Sequence, residues 1–145
     1  MAITITPPTD APLATRSIIL DATRCWRRAR DNHSPVQPAL YQALTVHRCD
    51  ILTPVLDSLL ALYESFIGRR LRAGAAGQAD ISGDEHDLLD LLGRPDGGED
   101  PLPRTGVNSG LASALRIALR SARIMLRLAL EPVQQAPALR IVATA

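Results

Sequence analysis

The sequence predicts an all-α fold, a bundle of four to five mostly antiparallel helices, and three observations predict it. The chain has only four aromatic side chains, Trp26, Tyr41, Tyr63 and Phe66, so its core must be built from leucine, alanine and isoleucine. That composition favours helix over sheet. Apolar residues recur at three- and four-residue steps over long windows instead of alternating. Start and stop signals also punctuate the chain at helical spacing, with Ser82 the clearest start and Gly93 and Pro132 the clearest stops. A chain of 145 residues is one ordinary domain. At that size folding buries roughly 68% of the unfolded surface.

Residues 1–11 read as a flexible N-terminal arm, because Pro7-Pro8 interrupts the alternating Ile3-Thr4-Ile5-Thr6. The first helix is expected from Pro12 to Asp31, with Asp10 as its N-cap and Leu13, Ile19, Ala22, Trp26 and Ala29 as its apolar stripe. Asn32-His33-Ser34-Pro35 breaks it. The second helix is expected from Val36 to Cys49, burying Leu40, Ala43, Leu44 and Val46 or His47. With no glycine before Pro54, the passage to the third helix reads as a kink or a tight joint.

The third helix organises the rest. Asp50 to Arg72 opens on Thr53 as N-cap with Pro54 in the first turn. Val55, Leu56, Leu59, Leu60, Leu62, Tyr63, Phe66, Ile67 and Leu71 cover one broad side of it. Asp50, Asp57 and Glu64 fall seven apart on the other side, which reads as a solvated acidic face. Arg69, Arg70 and Arg72 read as complements to the C-terminal dipole.

Ser82-Gly83-Asp84-Glu85 has the spacing of a capping box. It opens a short fourth helix to Leu92, whose Leu88, Leu89, Leu91 and Leu92 need a groove. Leu88-Leu89-Asp90-Leu91-Leu92 resembles the LxxLL groove-binding helix of transcription coactivators over those five residues alone, a pattern that in most helices packs a core. Residues 94–108, rich in glycine and proline, read as a mobile loop. The fifth helix is expected from Gly110 to Leu130, capped by Asn108 or Ser109. Residues 132–145 read as a flexible tail, leaving 12–131 as a single helical domain.

Net charge is +1, but its distribution is uneven. Residues 1–49 hold six arginines against three acids, residues 50–110 five against eleven, and residues 111–145 five against one. Every basic residue is arginine, which points to a coding bias toward G and C and cautions against reading each one as selected for its fork geometry.

On the fifth helix Arg116, Arg120, Arg123 and Arg127 are spaced four, three and four. They form a narrow cationic ribbon on a helix otherwise apolar and expected to be buried over two-thirds of its circumference. This ribbon is the candidate site for an anion or an acidic partner, unless it is only the wet edge of a core helix. The acids between Asp80 and Asp100 could themselves cover it. Arg24, Arg27, Arg28 and Arg30 form a second basic cluster, in part explained by the end of the first helix.

The reading that follows is a non-catalytic protein-interaction or regulatory module. The alternative is nucleic-acid binding through the arginine faces, disfavoured by the small net charge and by the absence of aromatics among the arginines. A metal- or thiol-dependent enzyme built on His47, Cys49 and Asp50 is the weaker alternative. Asp50, Asp57 and Glu64 stand about 10 Å apart along a helix, too far to share an ion. No catalytic residue, metal site or cofactor is expected. Cys25 and Cys49 are too few for a disulfide scaffold and read as buried thiols, although Arg24 and Arg28 could lower the pKa of Cys25. No run of about 20 residues is free of charge, so no membrane span is expected. The first residues lack a secretory layout, and a cytoplasmic location is expected. A homodimer is plausible through Ala118, Ala122 and Ala129 and the apolar surface of the third helix.

Overall fold

The computed structural model describes residues 10–95, 100–106 and 108–131. It is all-α, with no strand among the described residues. Five helices follow one another: α1 (Asp10–Asp31), α2 (Val36–Thr45), α3 (Thr53–Ile67), α4 (Gly83–Gly93) and α5 (Ser109–Leu130). A single 3-10 turn, Asp50–Leu52, leads into α3. Most of the expected arm, the whole of the expected tail, and positions 96–99 and 107 of the expected mobile loop lie outside the described residues. Of the rest of that loop, Leu102 is buried in the core.

The core forms where α3 and α5 meet, the most extensive helix pairing in the fold. Leu56, Leu59, Leu60 and Tyr63 of α3 and Leu115, Leu119, Ala122 and Leu126 of α5 are buried there. α1 contributes Ile18, Ile19, Ala22 and Trp26, α2 contributes Leu40 and Leu44, and α4 contributes Leu88, Leu91 and Leu92. These residues share one contiguous cluster, so no helix is stable on its own account and each relies on its neighbours to cover its apolar side. The α4 leucines that resemble a docking motif are thus core residues.

The ends of the helices correct several expectations. Leu13 points to solvent, because the core begins one turn later at Ile18. α2 stops at Thr45, four residues early, leaving Val46 exposed. The joint to α3 is a tight turn in which Arg48 takes a left-handed backbone, φ 60°. His33 does the same after α1, φ 55°. Both links lack glycine, so ordinary residues occupy a conformation that favours it. Helices α2 and α3 are therefore separate, not one kinked rod. Thr53 is not the N-cap; it lies inside the helix and its hydroxyl donates to the Asp50 carbonyl, 2.7 Å away, while Pro54 fills the first turn. α3 ends at Ile67, with Gly68 left-handed at φ 72° and its N–H on the Glu64 and Ser65 carbonyls. Arg69, Arg70 and Arg72 fall beyond that cap and do not extend the helix.

The acidic side of α3 is not a solvated face. Asp57 accepts from the Trp26 indole and from Gln37, each at 3.0 Å. Glu64 accepts from Arg27, Arg30 and the Leu71 N–H. These carboxylates hold α1, α2 and the loop after α3 onto α3.

The left-handed positions make a matched test. A Cβ at Gly68 meets nothing within 4 Å, so Gly68→Ala is strained only by its backbone. It should lower stability by about 1 kcal/mol. Arg48→Gly relieves the same strain and should be neutral or stabilising by up to about 1 kcal/mol. Urea unfolding of both variants checks the opposite signs.

Candidate functional site

α5 is apolar almost all round, and the structure shows which part of it the core takes. Ala112, Leu115, Leu119, Ala122 and Leu126 face inward. At about 100° per residue, the arginines lie along one flank of that face and a second apolar stripe lies opposite it. Ile117, Ile124 and Leu128 form this outer stripe, and all three are exposed, Ile117 at 68% and Leu128 at 60%. Half-buried Ser121 falls between them, giving spacings of four, three and four. The stripe therefore runs parallel to the arginine ribbon, one residue out of phase. The expectation that all apolar residues of α5 are buried is wrong, because one core covers one side of a helix and this sequence has apolar residues on two.

The ribbon is not uniform. Arg116 donates to the Asp100 carboxylate at 2.6 Å and to the Leu102 and Pro103 carbonyls, closing the loop before α5. Asp100 thus covers part of the ribbon, as its charge allowed. Its carboxyl lies below its ordinary value, held there chiefly by the Leu102 N–H and also by Arg116. Arg123 donates to the Leu91 carbonyl at 2.8 Å and so ties α5 to the end of α4. Arg120 and Arg127 are exposed. Arg116 and Arg123 hold the fold, while Arg120 and Arg127 flank the outer stripe.

The small residues that suggested a dimer contact are used within the chain. Ala122 is fully buried, and Ala118 and Ala129 pack against the core. The apolar side of α3 is likewise occupied by α5, α2 and α1.

The second cluster, Arg24, Arg27, Arg28 and Arg30, is divided in the same way. Arg27 bonds Glu64 at 2.5 Å and also Asp31; Arg30 bonds Glu64 and stacks over Trp26, 4.7 Å from the ring centroid. Arg28 remains exposed. Arg24 is buried, and so is its partner: the Arg24 and Glu85 side chains are 4% and 0% exposed. The guanidinium forks onto both Glu85 oxygens, at 2.8 and 3.2 Å, and donates two further N–H groups to the Gln78 and Asp80 carbonyls. Glu85 also accepts from the Gly74 and Ser82 N–H groups, at 3.0 and 2.9 Å. The capping box predicted at Ser82 is complete. Its glutamate has a second role, as the buried counter-ion of α1. Next to it, Asp84 takes a bidentate Arg69 and the Arg72 N–H. Arg69 and Arg70 thus bond across the fold, Arg70 to Asp31, in place of the helix-dipole role expected of them.

Burial pushes the thiols of both Cys25 and Cys49 up, and Arg28 lowers Cys25 too little to reverse this. His47 contacts Asp21 at 2.7 Å, and Cys49 donates to the His47 carbonyl. Among the described residues no three His, Cys, Asp or Glu side chains gather where a metal could sit. None of the described helices is long and apolar enough to cross a membrane.

No protein-family model, curated protein or solved structure matches the chain.

The buried pair makes a pH-dependent prediction. Burial raises the Glu85 carboxyl, but donors from Arg24, Ser82 and Gly74 outweigh it and hold the group below its ordinary value. A carboxyl depressed in the fold stabilises fully above its unfolded value, about 4.3, and loses that contribution as pH falls through the folded value. Glu85→Gln should therefore cost about 3–5 kcal/mol at pH 7, because it leaves the Arg24 charge buried alone. The deficit should shrink in acid, as pH falls through the folded value and wild-type Glu85 protonates too. Urea unfolding at pH 7 and across that acid range decides it: equal deficits would mean the charge is irrelevant.

Proposed function

We propose that the chain is a non-catalytic protein-interaction module whose α5 receives an acidic amphipathic helix of a partner protein. The observation that supports it is the outer stripe of Ile117, Ile124 and Leu128 running beside Arg120 and Arg127. Exposed apolar surface costs about 25 cal/mol per Å² in water, and a continuous row of it on a helix that already fills a core marks a contact face. The four, three, four spacing is that of a helix seam, where apolar side chains interdigitate and flanking charges choose the partner.

The charges favour a different chain over a second copy. α5 carries no acidic residue between Ser109 and Leu130. An antiparallel copy would place one arginine flank against the other. A parallel copy would place it against Ala114, Ala118 and Met125, which offer no charge. A helix with aspartate or glutamate beside its apolar row supplies both complements. Nucleic acid fits less well, because the outermost residues are aliphatic and no aromatic lies on α5 to stack a base.

A photo-crosslinker at Ser121, expressed in the native host, tests the reading. The captured segment should be an acidic amphipathic helix. Ile117→Ser with Leu128→Ser should weaken its binding more than about tenfold, and Arg120→Gln by about two- to five-fold with a smaller salt dependence. Neither change should lower the melting temperature, since these side chains face away from the core. Capture of the chain itself, or of a segment without acids, would contradict the proposal.

A further inference from the structure

A second cationic feature lies away from α5. Between the C-terminal half of α1 and the segment 69–76 runs an open cleft of about 760 Å³. That is the size range of small-molecule sites, about 300–1,000 Å³. Six arginines line it, Arg24, Arg27, Arg28, Arg69, Arg70 and Arg72, with Asp31 the sole carboxylate among the lining residues.

Four carboxylates engage four of these six guanidinium groups. Glu85 holds Arg24, Glu64 holds Arg27, Asp84 holds Arg69 and Asp31 holds Arg70. Arg28 and Arg72 make no ion pair among the described residues, and both are exposed. Six arginines against four carboxylates, one of which, Glu64, is shared with Arg30 outside the cleft, leave a surplus of at least two positive charges there. The opposing wall is Ala73, Gly74, Ala75 and Ala76, small enough to bring backbone close to a ligand. The N–H groups of Ala73 and Ala76 have no acceptor among the described residues. Those of Leu71, Arg72, Gly74 and Ala75 are all taken by side chains. The Gly74 Cα stands so near Arg24 that an added Cβ would lie 3.1 Å from its guanidinium.

We infer that this cleft binds a small molecule through a phosphoryl group, held by Arg28 and Arg72. A phosphoryl group concentrates close to two negative charges on three oxygens at neutral pH, matching the surplus, and each guanidinium fork can take two oxygens. A lone carboxylate brings half that charge. Free inorganic phosphate and a phosphorylated metabolite share this chemistry. The cleft's size separates them, because a single phosphate fills only a small part of it.

Titration of the full chain with sodium phosphate and sodium pyrophosphate, at fixed ionic strength, tests the inference by calorimetry and by amide NMR. Pyrophosphate should bind saturably with Kd below about 1 mM, and more tightly than phosphate. Shifts should centre on Arg28 and residues 69–76. Affinity for both anions should rise as each loses a further proton near neutral pH, since the arginines stay charged throughout. Arg28→Gln with Arg72→Gln should weaken binding at least about tenfold without lowering the melting temperature, and Arg120→Gln should change nothing. No saturable binding by about 10 mM would overturn the site, as would shifts on α5 or binding that survives the double substitution.

Discussion

The buried contact between Arg24 and Glu85 is the constraint that the arrangement of the chain's middle depends on. Two charges removed from water are tolerated only where geometry is good and every remaining donor and lone pair is used. Here the guanidinium takes both carboxylate oxygens and two loop carbonyls, and the carboxylate takes two loop amides. Meeting that demand fixes the segment between α3 and α4, which has no regular structure to fix it. Leu71, Arg72, Gly74 and Ser82 all donate their N–H groups to carboxylates, those of Glu64, Asp84 and Glu85. Side-chain acids do there what a ladder does in a sheet. The arginine-lined cleft is a result, because its far wall is this same segment.

Charge separation along the chain acquires a physical meaning from this. The basic end of α1 and the arginines after α3 meet the acids at the start of α4 and the end of α3. Neutralisation within the fold accounts for most of those charges. Arg28 and Arg72 at the cleft make no ion pair among the described residues, and Arg120 lies exposed on α5. The two basic features differ in kind. One is a concavity floored by backbone, suited to a compact anion, and the other is a straight edge beside aliphatic side chains, suited to another helix.

Local signals were legible in the sequence and long-range ones were not. The capping box at Ser82 was readable because its partners lie three residues apart, and α4 starts where it says. The extents of α1 and α5 followed from periodicity and from Pro132. By contrast, nothing near Glu64 or Asp57 says that Arg27 or Trp26 will arrive from α1, so their face looked solvated. Arg69 and Arg70 looked like dipole complements because the third helix was read as running on to Arg72, whereas it ends at Ile67 with Gly68 as its cap. The passage to α3 was read as a kink or a tight joint and is the tight joint, but its left-handed residue, Arg48, was hidden because no glycine or asparagine marked it. On α5 the wheel showed the arginine flank correctly. An apolar arc that wide holds no mark of which side meets the core, so Ile117, Ile124 and Leu128 were assigned to the interior. The signal was the width of the arc itself, which exceeds what one contact face can cover.

Amide hydrogen exchange in the wild-type chain tests the organising role of the buried pair most directly. Leu71, Arg72, Gly74 and Ser82 lie in a segment with no helix or strand, where free amides exchange at once. These four should be protected to the level of interior α3 amides, because opening any one of them strips a carboxylate of a donor, while Ala73 and Ala76 between them exchange fast. Uniformly rapid exchange from Arg69 to Ser82 would contradict it and would leave the fold resting on the α3 and α5 interface alone.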